Sequence, residues 1–156
     1  MRPKRPKKQN EQNEQKRQER SSHGRSQSVP PLVEGPEISV LPGVFNGYSV
    51  RLVESAGFKA AAISGAGVSE NLLGWPDRGI LGFEENLQVC GHLADCANIP
   101  LLADADTGYG NGVNVHFTVR AFEKAGFAAL SIEDQVWPKR CGHMAGKAVI
   151  PVNEMV

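Results

Sequence analysis

The sequence predicts an α/β fold with a parallel sheet, and three observations carry that expectation. Short apolar runs alternate with segments of helical period from residue 38 onwards, the pattern of parallel strands joined by right-handed crossovers. The runs are almost continuously apolar, as strands buried on both faces are. The polar residues that interrupt them, Ser64, Asp104, Asp106 and Glu133, all stand at the carboxyl ends of the runs. That edge is where both barrels and open parallel sheets bind ligands.

Each element has its own local reason. Residues 38–45 form a strand-like run broken by Pro42 and Gly43. Residues 47–56 set Val50, Leu52, Val53 and Ala56 on a helical face, closed by Gly57, the residue type that most often ends a helix. Residues 59–64 read as a second strand, followed by Gly65-Ala66-Gly67 and a long connection through Trp75-Pro76-Asp77-Arg78-Gly79. Phe83, Leu87, Cys90, Leu93, Ala94 and Ala97 recur at helical spacing and mark a helix over 83–97. A third strand is expected over 100–106, a third helix over 113–125 stopped by Gly126, and a fourth strand over 128–133. A loop carrying Trp137 and Lys139-Arg140-Cys141-Gly142-His143 follows, and residues 152–156 open a further helix.

With 156 residues the chain is long enough for one domain with a real core, but short of the roughly 250 residues of a complete β/α barrel. Its net charge of zero conceals a split. Residues 1–28 carry nine Lys or Arg against three Glu, so this stretch is +6 and the remainder −6. Almost without apolar side chains, it cannot bury enough surface to offset chain ordering. The expected organisation is a disordered basic tail with a Pro-rich connector over 1–37 and a folded domain over 38–156. Arg-Pro-Lys-Arg-Pro-Lys-Lys near the start fits a nuclear-localisation or nucleic-acid patch. It equally fits a solvated tail, the reading adopted, so nucleic acid is not an expected partner. No apolar segment suits a secretory signal or a membrane span, and the chain is expected to be soluble and cytoplasmic, with mitochondrial and nuclear locations left open. Three cysteines are too few and too odd for a disulfide framework, and without a C-x-x-C pair they do not read as structural zinc.

Two stretches carry chemistry. On a strand, Asp104 and Asp106 face one way and Ala103 and Ala105 the other. Two carboxylates at a strand end suit a hard divalent cation, although Asp also caps helices and shapes turns. Glu133, or its neighbour Asp134, adds a third carboxylate, and such a cluster repels itself unless a cation or protons compensate. The turn Gly108-Tyr109-Gly110-Asn111-Gly112 lacks the third glycine of a dinucleotide fingerprint, yet can offer backbone N–H groups to an anion at a helix start. In Lys139-Arg140-Cys141-Gly142-His143, two cations and a histidine favour the thiolate of Cys141. The same cysteine can also be a plain loop residue with incidental basic neighbours.

Three motifs taken together, Asp104-Ala-Asp-Thr-Gly-Tyr-Gly, Ile132-Glu-Asp-Gln135 and Lys139-Arg-Cys-Gly-His143, resemble the isocitrate lyase and phosphoenolpyruvate mutase superfamily, most closely its methylisocitrate and dimethylmalate lyase branch. The resemblance covers residues 39–156. It implies a (β/α)8 TIM barrel, here about the first four strand–helix units, with Mg²⁺ or Mn²⁺ at the carboxyl rim. By motif, Asp104 and Asp106 would hold the metal with Glu133 in support. Ser64, Gly65 and Ala66 would form the substrate-carboxylate loop, and Asp77 an active-site aspartate. Cys141 would be the general acid and base, with Lys139 and His143 completing the catalytic group and Arg140 and Gly142 binding substrate.

The implied reaction is cleavage of a 2-hydroxy di- or tricarboxylate to a 2-oxo acid and a dicarboxylate. Phosphorylmutase members, which generally lack the Cys-Gly-His element, are the alternative; a non-catalytic interaction protein using the basic tail is another. Some lyases carry a tyrosine where this chain has Ala62, which leaves the substrate open. Full-length relatives are expected to be homo-oligomers, and this chain to be an incomplete, inactive or weakly active fragment with open strand edges.

Overall fold

The computed structural model describes residues 35–155; residues 1–34, which hold most of the stretch read as a disordered tail, lie outside them, as does Val156. Four strands, β1 (Gly43–Val44), β2 (Ala61–Ile63), β3 (Leu101–Asp104) and β4 (Ala129–Ser131), form one parallel sheet in the order β1-β2-β3-β4. Neighbours in space are thus neighbours in sequence. A doubly wound sheet reverses its strand order at a switch point; these four strands contain no reversal and follow the order of a β/α barrel.

Gly43 pairs with Ala62, Ala62 with Leu102 and Leu102 with Ala129, which fixes the register across the sheet. On one face of β2 and β3, Ala61, Ile63, Leu101 and Ala103 are buried; Ala62, Leu102 and Asp104, alternating with them, are half-buried. The buried face packs into a core with Val50, Val68, Cys90, Leu93 and Phe122 from the helices and Phe127 from the turn before β4. Each fully buried Val, Leu, Ile or Phe side chain contributes about 1.5–3 kcal/mol, and Phe122 and Phe127 add a tilted ring contact at 5.6 Å between centroids.

The helices begin where the sequence supplies caps. In α1 (Gly47–Ser55), Asn46 Oδ1 accepts from Ser49 N–H at 2.9 Å while Ser49 Oγ accepts from Asn46 N–H at 3.1 Å, a reciprocal capping box. Glu85 does the corresponding service for α3 (Phe83–Cys96), accepting from Gly82 N–H at 2.7 Å, and Asn111 caps α4 (Gly112–Lys124). A short α5 (Val152–Met155) ends the described chain.

Two local expectations are corrected. Residues 65–73, read as the start of a long connection, form α2 (Gly65–Leu73). Ser64 Oγ caps it by accepting from Gly67 N–H at 3.1 Å, and Gly74, at φ +68°, ends it in the left-handed conformation. The first strand is two residues long instead of eight: Pro42 has no N–H to give a ladder, and only Gly43–Val44 pair with β2.

Candidate active site at the carboxyl rim

Asp104 is the last residue of β3, and its carboxylate is fixed from two sides. Oδ2 accepts from Gly65 N–H at 2.9 Å, at the start of α2, and Oδ1 accepts from Asp106 N–H at 3.0 Å. A Cβ on Gly65 would lie 2.6 Å from Asp104 Oδ2, so this close approach requires glycine. Asp106 has left the strand conformation at φ +55°, a region that Asp tolerates through local side-chain bonding. Beyond the strand ends the β3–β4 pairing continues, with Ala105 N–H on Ser131 O at 3.0 Å and Glu133 N–H on Asp106 O at 2.7 Å. Asp106 and Glu133 are thereby backbone neighbours.

Lys139 reaches this group from the loop after β4. Its Nζ lies 2.7 Å from Asp77 Oδ1, 3.0 Å from Asp106 Oδ1 and 4.0 Å from Glu133 Oε1, with the side chain 1% exposed. Burial by itself lowers the pKa of an ammonium, but the hydrogen bond to Asp77 and the charge of Asp106 outweigh it and hold Lys139 well above the usual lysine range. Asp106 shows the opposite balance. Burial raises its pKa, the Lys139 ammonium pulls it down, Asp104 and Asp77 push it back, and the result is about 6. Its Oδ1 is buried, and the Lys139 ammonium at 3.0 Å is its close charged neighbour.

A buried polar residue underpins this floor. Asn86 of α3 donates through Nδ2 to Asp104 O at 2.9 Å and to Tyr109 Oη at 2.7 Å. Tyr109, at φ +62° and edge-on to Phe83, has its pKa raised mainly by burial. Thr118 Oγ1 donates to Gly108 O at 3.1 Å and holds the glycine turn down on α4.

The second chemical group is the loop itself. Cys141 Sγ lies 3.5 Å from His143 Nδ1, and both are partly or fully exposed. Arg140 Nη1 donates to Ala145 O at 3.2 Å, and Gly142 O accepts from Lys147 Nζ. Lys139 and Cys141, two residues apart, therefore serve different partners: the ammonium is engaged by the carboxylates and the thiol by a histidine. Cys90, by contrast, is buried in α3 with its thiol pKa pushed up to about 12 by burial, a packing residue.

Of the residues singled out in the sequence, the structure joins Gly65 to Asp104 directly, and Asp77, Asp106 and Glu133 through Lys139. Ser64 is a helix cap, and Ala66 belongs to the first turn of α2. Among the described residues no three acidic, histidine or cysteine side chains stand close enough together to hold one ion. The donor chemistry nevertheless suits Mg²⁺, which takes oxygen ligands, commonly only one or two carboxylates with water filling the rest. Asp106 Oδ1 is buried beside the Lys139 ammonium, and an ion here would share the carboxylates of the rim with that lysine. A cavity of about 1010 Å³ opens alongside, sharing Glu133 and Gln135 with the site and walled by Phe83, Tyr109, Ile132 and Trp137.

Asn86 and Gln135 were not among the residues predicted to serve the site. Gln135 had a signal, a carboxamide two residues beyond Glu133 at the same strand end, whereas Asn86 looks like one more polar residue in an amphipathic helix.

Comparison with known proteins places this rim in context. The chain is 42% identical over 125 residues to 2,3-dimethylmalate lyase of Eubacterium barkeri, matching 80% of this chain and 43% of that protein. It is 43% identical to 2-methylisocitrate lyase of Aeropyrum pernix, over 80% of this chain and 40% of the relative. It is 45% identical to the chloroplastic carboxyvinyl-carboxyphosphonate phosphorylmutase of Arabidopsis thaliana, over 79% of this chain and 37% of the relative. The chain thus spans about two-fifths of the length of these relatives. Among solved structures, an oxaloacetate acetylhydrolase with the inhibitor 3,3-difluorooxalacetate superposes with a TM-score of 0.78 at 36% identity, covering 85% of this chain and 45% of the other. A phosphonopyruvate hydrolase complex with oxalate and Mg²⁺ gives a TM-score of 0.73 at 30% identity, covering 84% and 44%. The four-stranded sheet is consistent with part of a TIM-type barrel. The family model for phosphoenolpyruvate phosphomutase matches residues 30–156, and the chain belongs to that family, within the phosphoenolpyruvate mutase and isocitrate lyase superfamily of lyases and mutases.

Proposed function

We propose that residues 38–156 form the first four units of a Mg²⁺-dependent carbon–carbon lyase that cleaves a methylisocitrate-like 2-hydroxy di- or tricarboxylate to a 2-oxo acid and a dicarboxylate. The observation that carries this reading is the convergence of Asp77, Asp106 and Glu133, from three separate segments, on a lysine of the same loop that holds Cys141 and His143. One or two carboxylates of the set Asp104, Asp106 and Glu133, with water completing the shell, would hold Mg²⁺, which would polarise the hydroxy-acid oxygens and stabilise developing negative charge. At the start of α2 the Gly65 N–H is engaged by Asp104 and the Gly67 N–H by Ser64 Oγ, which leaves the Ala66 N–H and the helix dipole to face a substrate carboxylate. Arg140 and Gly142 bind the substrate's other end.

In the cleavage direction the hydroxyl proton leaves to a rim carboxylate and the O–H electrons form the new C=O. The electron pair of the broken C–C bond passes to the departing carbon, beside its own carboxylate. Cys141 delivers its thiol proton to that carbon, and His143, 3.5 Å away, exchanges protons with the sulfur. Lys139 keeps its charge throughout, because its carboxylate partners hold its pKa far above neutrality.

The test is an assay of the chain, and of any longer protein that contains it, with methylisocitrate and 2,3-dimethylmalate in the presence of Mg²⁺. Production of the 2-oxo acid only by the longer protein is the expected outcome; absence of cleavage by both refutes the lyase reading. The similarity to the Arabidopsis phosphorylmutase favours a second reading, rearrangement at a carbon–phosphorus bond. Phosphorus NMR of the protein incubated with a phosphonate substrate separates the two.

A further inference from the structure

We propose that Gln135 is a positioning residue that sets the place of Cys141 by clamping Arg140, the residue before it, to the carboxylate rim. The Gln135 side chain is buried, with the residue 8% exposed. Its Oε1 accepts from Arg140 N–H at 3.1 Å, and its Nε2 donates to Arg140 O at 2.9 Å and to a carboxylate oxygen of Glu133. Two hydrogen bonds of opposite sense to one residue's backbone fix both its position and its orientation, as a paired strand does. Here one side chain does the work of a strand.

The placement matters because of what flanks Arg140. Lys139 on one side is tied to Asp77 and Asp106, and Cys141 on the other faces His143. The loop closes at its base through Val136 N–H on Ala148 O and Ile150 N–H on Asp134 O, both at 2.8 Å. Gln135 stands at that neck, paired with Val149 through its backbone and with Arg140 through its side chain. The chemistry requires an amide of this length. A carboxamide offers a donor and an acceptor on separate atoms at neutral pH; Glu has no donor and would set a second carboxylate against Glu133, and Asn is one methylene short.

The inference deepens the lyase reading and rests on it only for the role of Cys141, since the positioning itself can be measured without turnover. Amide hydrogen exchange and the rate of Cys141 alkylation by iodoacetamide are compared in the native chain, Gln135→Met and Gln135→Glu, with buried Cys90 as internal reference. In Gln135→Met, losing the clamp speeds exchange at Arg140 by about tenfold or more. Cys141 alkylates several-fold faster, while Leu102, Ala103 and Cys90 keep their native protection. Gln135→Glu keeps an acceptor for Arg140 N–H but loses the donor to Arg140 O and sets a like charge against Glu133, so at pH 8 Cys141 again alkylates faster than in the native chain. Native protection at Arg140 in both variants at pH 8 overturns the proposal. So does loss of protection spread equally over β3, or a Gln135→Glu variant whose Cys141 alkylates at the native rate, and this last outcome decides the matter even where Gln135→Met does not fold.

Discussion

Replacing Lys139 with Met keeps the aliphatic stem and removes the positive charge that stands among Asp77, Asp106 and Glu133. Both close partners are largely buried, with side-chain exposures of 11% and 10% for Asp77 and Asp106. Removing one member of such a pair costs about 3–5 kcal/mol, because the remaining charge is left in a poor solvent. The loss must depend on pH. Folded Asp106 titrates at about 6 against 3.8 for the free side chain, so between those values the folded state binds more protons and stability falls as pH rises. Without the ammonium that holds it down, Asp106 moves higher still. The variant's deficit then shrinks on going from pH 8 to pH 5, by about 1.4 kcal/mol for each unit by which the substitution lifts that pKa. Urea unfolding of both proteins at the two pH values measures the difference directly. An equal deficit at pH 5 and pH 8, or one below about 1 kcal/mol at pH 8, would falsify the assignment of Lys139 as the compensating charge.

Three further outcomes are expected. Gly65→Ala forces a methyl group to within 2.6 Å of Asp104 Oδ2; displacing that carboxylate costs about 1–3 kcal/mol despite the better helix propensity of alanine, read as a lower urea midpoint. Cys141→Ser, on a partly exposed loop, leaves stability within about 0.5 kcal/mol of native, and wherever the proposed cleavage is measured this substitution abolishes it. Added Mg²⁺ at a hundred times its dissociation constant stabilises the chain by about 2.7 kcal/mol; thermal melts of Asp106→Asn, which lacks the anionic oxygen ligand, show no such gain.

Much of the rim was legible in the residue pattern. Apolar runs ending in Ser64, Asp104 and Glu133 locate the strand ends, because a buried strand cannot keep a carboxylate in its middle. Helix α2 was not legible, since Gly65-Ala66-Gly67 has the composition of a turn. Its signals were Ser64 before it and Gly74 after it, a cap and a stop spaced for a short helix. Glycine is needed at 65 for a tertiary reason, the carboxylate of Asp104 lying against it, which no local propensity records. Strand alternation also misdescribes Asp106, because the chain turns into the left-handed region there and its carboxylate is placed by the turn.

The alternation of strand and helix, the edge at which the chemistry gathers, and the loop that bears the thiol follow from the order of residues along the chain, because periodicity and chain stops act over a few neighbours at a time. Which charges meet was decided only by the return path of the loop after β4. That path carries Lys139 in among Asp77, Asp106 and Glu133 and leaves Cys141 facing His143. Electrostatic energy depends on distance and burial in three dimensions, and neither is written in the spacing of Lys139 and Cys141 along the sequence.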